Sequence, residues 1–200
     1  MTFCDAIKAD TYRRHGRFHW GLTLAGVVTH PGFRALCTMR ACQAVSATRA
    51  PWRWALPLFK LLHHLTCHAA AIDLGWRTAI GAGLAITHGW GLVITPGAQI
   101  GRNVTLFHGV TIGRRDSIDA DGTRRTVFPI IQDEVWVGPH AIIVGGITIG
   151  RGSRIAGVAL VTTDIPAHCV VVGNPATIVK HGCMPDVMHA APIRPVGERA

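Results

Sequence analysis

Residues 130–161 read IIQDEVWVGPHAIIVGGITIGRGSRIAGVALV. Within them Ile131, Val137, Ile143, Ile149, Ile155 and Val161 recur every six residues. Small or apolar residues stand four places after each of the first five: Val135, Ala141, Ile147, Ser153 and Ala159. A helix repeats every 3.6 residues and a strand every two, so neither produces this spacing. A chain that turns a corner every six residues does. Three such faces make a coil of about 18 residues, with the aliphatics stacked inward in ladders. The expected fold is therefore mainly β: a left-handed parallel β-helix of hexapeptide repeats.

The same period runs upstream. Leu74, Ile80 and Ile86 are in step; two extra residues then shift the phase, and Ile94, Ile100, Leu106 and Ile112 resume it. Glycine follows the aliphatic at Gly81, Gly101, Gly113, Gly138 and Gly150. Such positions suit corners, through positive φ or close backbone approach. Between Ile112 and Ile131 the step is nineteen, so about thirteen residues are inserted there. The segment 114–128, RRDSIDADGTRRTVF, is polar and carries Asp121-Gly122, a turn signal. A loop thrown out of a solenoid corner is a place for function, or a tolerated surface insertion.

Before the repeats, residues 3–15, 31–46 and a Pro51-led stretch reaching 70 read as helices, with Pro31, Pro51 and Pro57 near first-turn positions. The chain thus divides into a helical segment 1–70, a β-helix 71–180 and a Pro-rich, loosely packed tail 181–200. His63, His64, Cys67 and His68 invite a metal reading, with His64, Cys67 and His68 on one helical face. No further Cys/His pair or carboxylate is spaced to complete a site, so no metal is expected. The plainer reading is a His-rich face, part core and part oligomer contact.

The chain of 200 residues is 48% hydrophobic and carries 20 Lys/Arg against 11 Asp/Glu, a net charge of +9. The bases are dispersed, without a basic block or interleaved aromatics, which argues against nucleic acid and leaves room for an anionic small molecule. Six cysteines without CxxC or disulfide-like spacing, and an N-terminus without a leader pattern, point to a reduced cytoplasmic protein. Residues 55–72 are interrupted by Lys60, His63, His64 and His68 and do not read as a membrane span.

The chemistry centres on two histidines. His88 stands two after Ile86 and His108 two after Leu106. They lie one coil plus the phase shift apart, so both project from one corner if the extra residues bulge out. An imidazole suits a general base at neutral pH. Asp73, fifteen residues before His88, comes round to a position from which it could fix that ring's tautomer. No Ser or Cys sits in a nucleophile motif such as G-x-S-x-G, which favours direct transfer over a covalent intermediate.

These residues carry a resemblance. HPGFRAL, IDLGWRTAIGAGLAITHGWGLVI, GAQIGRNVTLFHGVTIG and IPAHCVVVGNPATIVK resemble the hexapeptide-repeat acyltransferases, in their serine acetyltransferase-like branch. Within it, HGWGLVI and LFHGVTIG are most similar to the exopolysaccharide and capsule acetyltransferases of the colanic acid type. The resemblance implies acetyl-CoA-dependent O-acetylation by a homotrimer with its site between subunits. It assigns catalysis to His88 and Asp73, and acceptor binding to Thr87, Trp90 and His108. It runs acetyl-CoA along the solenoid past Gly113, Gly138 and Ala156, with Lys180 near the CoA phosphates. The chain departs from the serine enzymes at Thr87, where they carry Asp, and at Val127-Phe128, where they carry Arg-His. It also lacks their acidic residue near Arg17. Those departures favour a neutral hydroxyl such as a sugar's, in surface-polysaccharide biosynthesis. A serine or other amino-acid O-acetyltransferase and a non-catalytic scaffold are the alternatives.

Overall fold

The computed structural model describes residues 2–49 and 51–192. Four helices come first: α1 (Phe3–His15), α2 (Trp20–Thr29), α3 (Pro31–Ala47) and α4 (Leu56–Ala70), the last led in by a 3-10 turn, Trp52–Ala55. Thr2 and Asp5 form a reciprocal capping box at the start of α1, and Gly16 closes it in the left-handed conformation. Helix α2 escapes a periodicity reading: WGLTLAGVVT holds two glycines and two adjacent valines, all weak helix formers. Gly26 earns its place by contact, since a Cβ there would sit 3.0 Å from the Phe33 ring.

From Asp73 the chain winds into three parallel sheets, one per face of a solenoid of about five turns. The first sheet stacks Asp73–Leu74, Val93–Ile94, Thr111–Gly113, Ile142–Val144 and Leu160–Val161. The second stacks Ala79–Ile80, Gln99–Ile100, Ile130–Ile131 and Thr148–Ile149. The third stacks Ala85–Thr87, Thr105–Phe107, Trp136–Val137, Arg154–Ile155 and Val170–Val172. In nearly every strand one aliphatic points inward, and Ile94, Ile112, Ile143 and Val161 form one such fully buried ladder.

The register locates both irregularities. Asp73 pairs with Val93 and Ala85 with Thr105, a step of twenty, whereas Val93 pairs with Thr111, a step of eighteen. The two extra residues therefore fall between Thr87 and Val93, at the corner that carries His88. The larger insertion leaves the corner between the first and second sheets. It folds into a hairpin of its own, Arg115–Ile118 against Arg124–Val127. Gly122, at φ 84°, turns it as the Asp-Gly pair suggested.

The repeat glycines owe their places to close approach. Gly101 and Gly150 do not have positive φ. A Cβ on Gly101 would stand 2.6 Å from the Asp133 backbone nitrogen, and one on Gly150 2.3 Å from that of Ala167. The left-handed corners are taken mostly by other residues, His88, His140 and Val158 among them.

One sequence expectation needs correction and one gains detail. The tail, mostly exposed where it is described, is held at single points. After Val172 the chain reverses, and Thr177–Lys180 pairs antiparallel with Val170–Val172. Asp186 then meets Arg154 at 3.0 Å, and the Asn103 side chain holds both backbone groups of a buried Ala191. Residues 193–200 lie outside the described residues. His64, Cys67 and His68 do not share a face: Cys67 is buried and the two histidines are exposed. The buried ring is that of His63, held by Thr38 and the Leu74 carbonyl. Among the described residues no three metal-capable side chains converge, and no helix is long and apolar enough to cross a membrane. Outward, α4 shows Leu58, Leu61, Leu62 and Leu65, an apolar stripe at helical spacing on the face away from α3.

The helices are stapled to the first coil by buried charges. Asp10 on α1 accepts from Arg40 on α3 at 3.1 Å and from the amides of Gly83 and Leu84. Arg40 donates in turn to the carbonyls of Ile80 and Gly81. Burial pushes the Asp10 carboxyl up; Arg40 and the two amides oppose it. Arg13 spans Gly83, Thr105 and Met188. Replacing Asp10 with Ala would leave the Arg40 charge buried without its carboxylate, an expected loss of about 3–5 kcal/mol of stability. Urea unfolding of D10A beside the parent measures it.

Candidate active site

Three elements build the site: the bulged corner 87–92, the end of α1 and the start of α3. His88 sits at φ 52°, in the left-handed region, and its carbonyl accepts from Trp90 N–H at 2.7 Å. The corner folds onto the strand that opens the solenoid. Gly91 donates to the Ala71 carbonyl, and Asp73 N–H donates to that of Leu92, each at 2.8 Å. Asp73 and His88 thus belong to one exposed corner. No hydrogen bond joins their side chains in the single chain.

His88 opens onto a cleft of about 270 Å³, lined also by Thr87, Trp90, Arg14, His30 and Phe33. A second cavity, of about 420 Å³, adjoins it across Arg14, His30, Phe33, Ile86 and Thr87, and reaches His15, Thr105, Phe107 and Trp136. Two of the expected acceptor residues, Thr87 and Trp90, are therefore beside His88. The third, His108, stands one coil on, its ring 6.5 Å from that of His88. It does not line either cavity. His140 extends the series, 4.9 Å beyond His108. The His108 Nδ1 atom is buried without a partner.

The residues expected along acetyl-CoA divide between corners. Gly138 and Ala156 follow paired strands of the third sheet, at the same corner as His88 and further along the solenoid. Gly113 ends a strand of the first sheet, one corner away. Lys180 is exposed and lies opposite Val170 on the antiparallel edge strand. The hairpin of 114–128 lies at the same distant corner as Gly113 and contributes no residue to either cavity at His88. A further open groove of about 620 Å³ runs over the second sheet past Gly81, Gly101 and Asp133. It contains no histidine, so it is set aside as a reaction site.

Sequence reasoning missed the contribution of the helices. Arg14 and His15 end α1, and His30 precedes α3; all three face His88 or its neighbouring cavity. The run RRH at 13–15 was visible, but only the packing of α1 on the coil shows where it points. His140 escaped because it stands three after Val137, one place off the spacing of His88 and His108. The buried thiols offer no alternative nucleophile. Burial pushes Cys37 up to about 12 and Cys67 up to about 11, so neither forms a thiolate near neutral pH.

An exposed imidazole at the mouth of a cleft, on a corner bonded through its backbone to the strand of Asp73 and without an activated Ser or Cys, suits proton abstraction from a bound hydroxyl. Similar proteins share this architecture. No family model matches the chain. Serine acetyltransferase 2 of Arabidopsis thaliana is 34% identical over 141 residues, 70% of this chain and 42% of that protein. The structure of soybean serine acetyltransferase without ligand matches with a TM-score of 0.72 and 30% identity, over 89% of this chain and 69% of that one. The soybean enzyme complexed with serine matches at a TM-score of 0.71 and 29% identity, over 89% and 70%. The chain spans between 38% and 66% of the length of the curated relatives it matches. These relatives are serine acetyltransferases; a particular likeness to the colanic acid type is not what they show.

The histidine series depends on Gly109, which has φ 65° and whose Cβ would fall 2.2 Å from His140 Nδ1. Gly109→Ala is expected to cost about 1–3 kcal/mol through strain and to shift the imidazole NMR signals of His108 and His140. Thermal unfolding and a proton spectrum of the variant test both.

Proposed function

The chain belongs to the serine acetyltransferase family, and we propose that it is an acetyl-CoA-dependent O-acetyltransferase acting on a small, serine-type hydroxyl acceptor. The observation that carries this is His88, exposed on the bulged corner whose Leu92 carbonyl accepts from Asp73 N–H, and facing a cleft large enough for such an acceptor. A serine-type acceptor fits better than a sugar in polysaccharide biosynthesis, because the relatives named above are serine acetyltransferases.

In this reading His88 takes the proton of the acceptor hydroxyl, and the oxygen attacks the thioester carbonyl. The tetrahedral intermediate collapses to the acetyl ester, and the imidazolium returns its proton to the departing CoA thiolate. Asp73 orients the ring and stabilises its charged form, as carboxylates do behind histidine bases. Backbone N–H groups at the corners stabilise the oxyanion. Thr87, Trp90 and His108 shape the acceptor side. Gly138 and Ala156, at the same corner as His88, lie along the path of the pantetheine arm, with Gly113 and Lys180 as further contacts to CoA. The assembly is a homotrimer, in which a neighbouring coil completes the site and the 114–128 hairpin of one copy meets the corner of another.

His88→Ala should lower turnover by roughly 10²–10⁴ and leave the thermal midpoint nearly unchanged, because the side chain is exposed. Thiol release from acetyl-CoA with L-serine as acceptor measures the first and calorimetry the second. An H88A protein as active as the parent would remove the assignment.

A further inference from the structure

Between α1, α3 and the His88 corner lies a positive cluster that the proposed chemistry leaves unused. Arg14 and His30 line both cavities, and His15 lines the inner one. The Arg14 Nε and His15 Nε2 atoms are buried and have no hydrogen-bond partner among the described residues. Nearby acids are committed elsewhere: Asp10 to Arg40 and two amides, Asp186 to Arg154. Arg13 is also occupied, by Gly83, Thr105 and Met188. Arg14 is left with a guanidinium edge in the cleft and, among the described residues, no acceptor for its Nε.

Basic residues in the last turn of a helix complement its dipole, and that would explain the composition of the end of α1. It does not explain buried donors without acceptors, because a buried donor left unpaired is costly. The electrostatics agree. Burial, then Arg14 and its basic neighbours, hold the His15 and His30 pKa values below the usual imidazole range. Both rings are therefore neutral beside the Arg14 charge, and an anion would meet that guanidinium and its unpaired donor.

We infer that Arg14, with His15 and His30, is a carboxylate subsite, and that the acceptor is a small hydroxy acid recognised through its carboxylate rather than through an amine. This deepens the proposed function and rests on it. The guanidinium fork fits a carboxylate in two-point contact. No carboxylate among the cleft residues is free to hold an ammonium group, Thr87 occupying the place beside His88. The reacting hydroxyl would then lie toward His88 and the carboxylate toward α1, in one continuous space.

The test compares L-serine, 3-hydroxypropionate, serinamide and 1-propanol as acceptors for the full-length protein and for R14M and R14K. Thermal midpoints are measured alongside to show that the variants fold; Arg14 makes no hydrogen bond whose loss would unfold them. Loss of one charge-assisted contact corresponds to roughly a 10-fold to 100-fold rise in KM. R14M should show that rise for serine and 3-hydroxypropionate, with KM for acetyl-CoA unchanged, and R14K should fall between. Serinamide and 1-propanol should be poor acceptors for all three proteins. Direct binding of 3-hydroxypropionate, followed by ligand-observed NMR, gives a readout independent of turnover and should be lost in R14M. Equal binding to parent and R14M would overturn the subsite, as would preference for serinamide over 3-hydroxypropionate. Release of CoA with neutral acceptors alone would sink the subsite and leave the transferase standing. Binding of 3-hydroxypropionate through Arg14 with no release from any acceptor would do the reverse.

Discussion

The contact between Asp10 and Arg40 sets the geometry on which the site depends. Both side chains are buried, and each is also bonded to the backbone of the first coil. A buried pair gives little net stability beside a well-packed apolar substitute, but it tolerates few arrangements. Here it holds α1 and α3 in one orientation against residues 80–84. That orientation brings the end of α1, with Arg14 and His15, over the corner that carries His88. Without the staple the solenoid would keep its ladders, and the cleft would lose a wall.

The solenoid supplies the other constraint. Parallel strands repeat their register from coil to coil, so any residue added to one corner is confined there. The two extra residues fall at 88–92 and the thirteen at 114–128, and every strand between returns to its ladder. A bulge therefore costs the core little while it lifts a side chain out of the stack. His88, at a positive φ, is the outcome. Strain of this sort persists only where surrounding structure over-determines it, and the hydrogen bonds of Gly91 and Asp73 to the neighbouring backbone do so.

Several features of the site were readable from spacing. Asp73, Thr87, His88 and Trp90 share a corner because six-residue periodicity fixes which face each occupies. The shared direction of His88 and His108 followed once the phase shift was seen. Other features were not readable. Gly113 falls one corner from Gly138 and Ala156, although all three follow repeat aliphatics, because a shared phase does not identify which of three faces a residue ends. Helix α2 was invisible, since its glycines and valines give no stable pattern alone. The tail has no periodicity from which its anchoring contacts, such as Asn103 with Ala191, could be read.

The sequence by itself determined the coil, its two interruptions and the residues of the corner that carries His88. Those are short-range regularities: a six-residue period is satisfied by stacking each coil on the one before, and nothing distant is needed to read it. Only the tertiary structure decided what faces that corner. Arg14, His15 and His30 reach it through contacts spanning some seventy residues, such as Asp10 to Gly83. Long-range contacts of that kind leave no periodic trace. They arise because burying one carboxylate and one guanidinium requires every one of their hydrogen bonds to be met at once, and the folded chain meets them in a single arrangement.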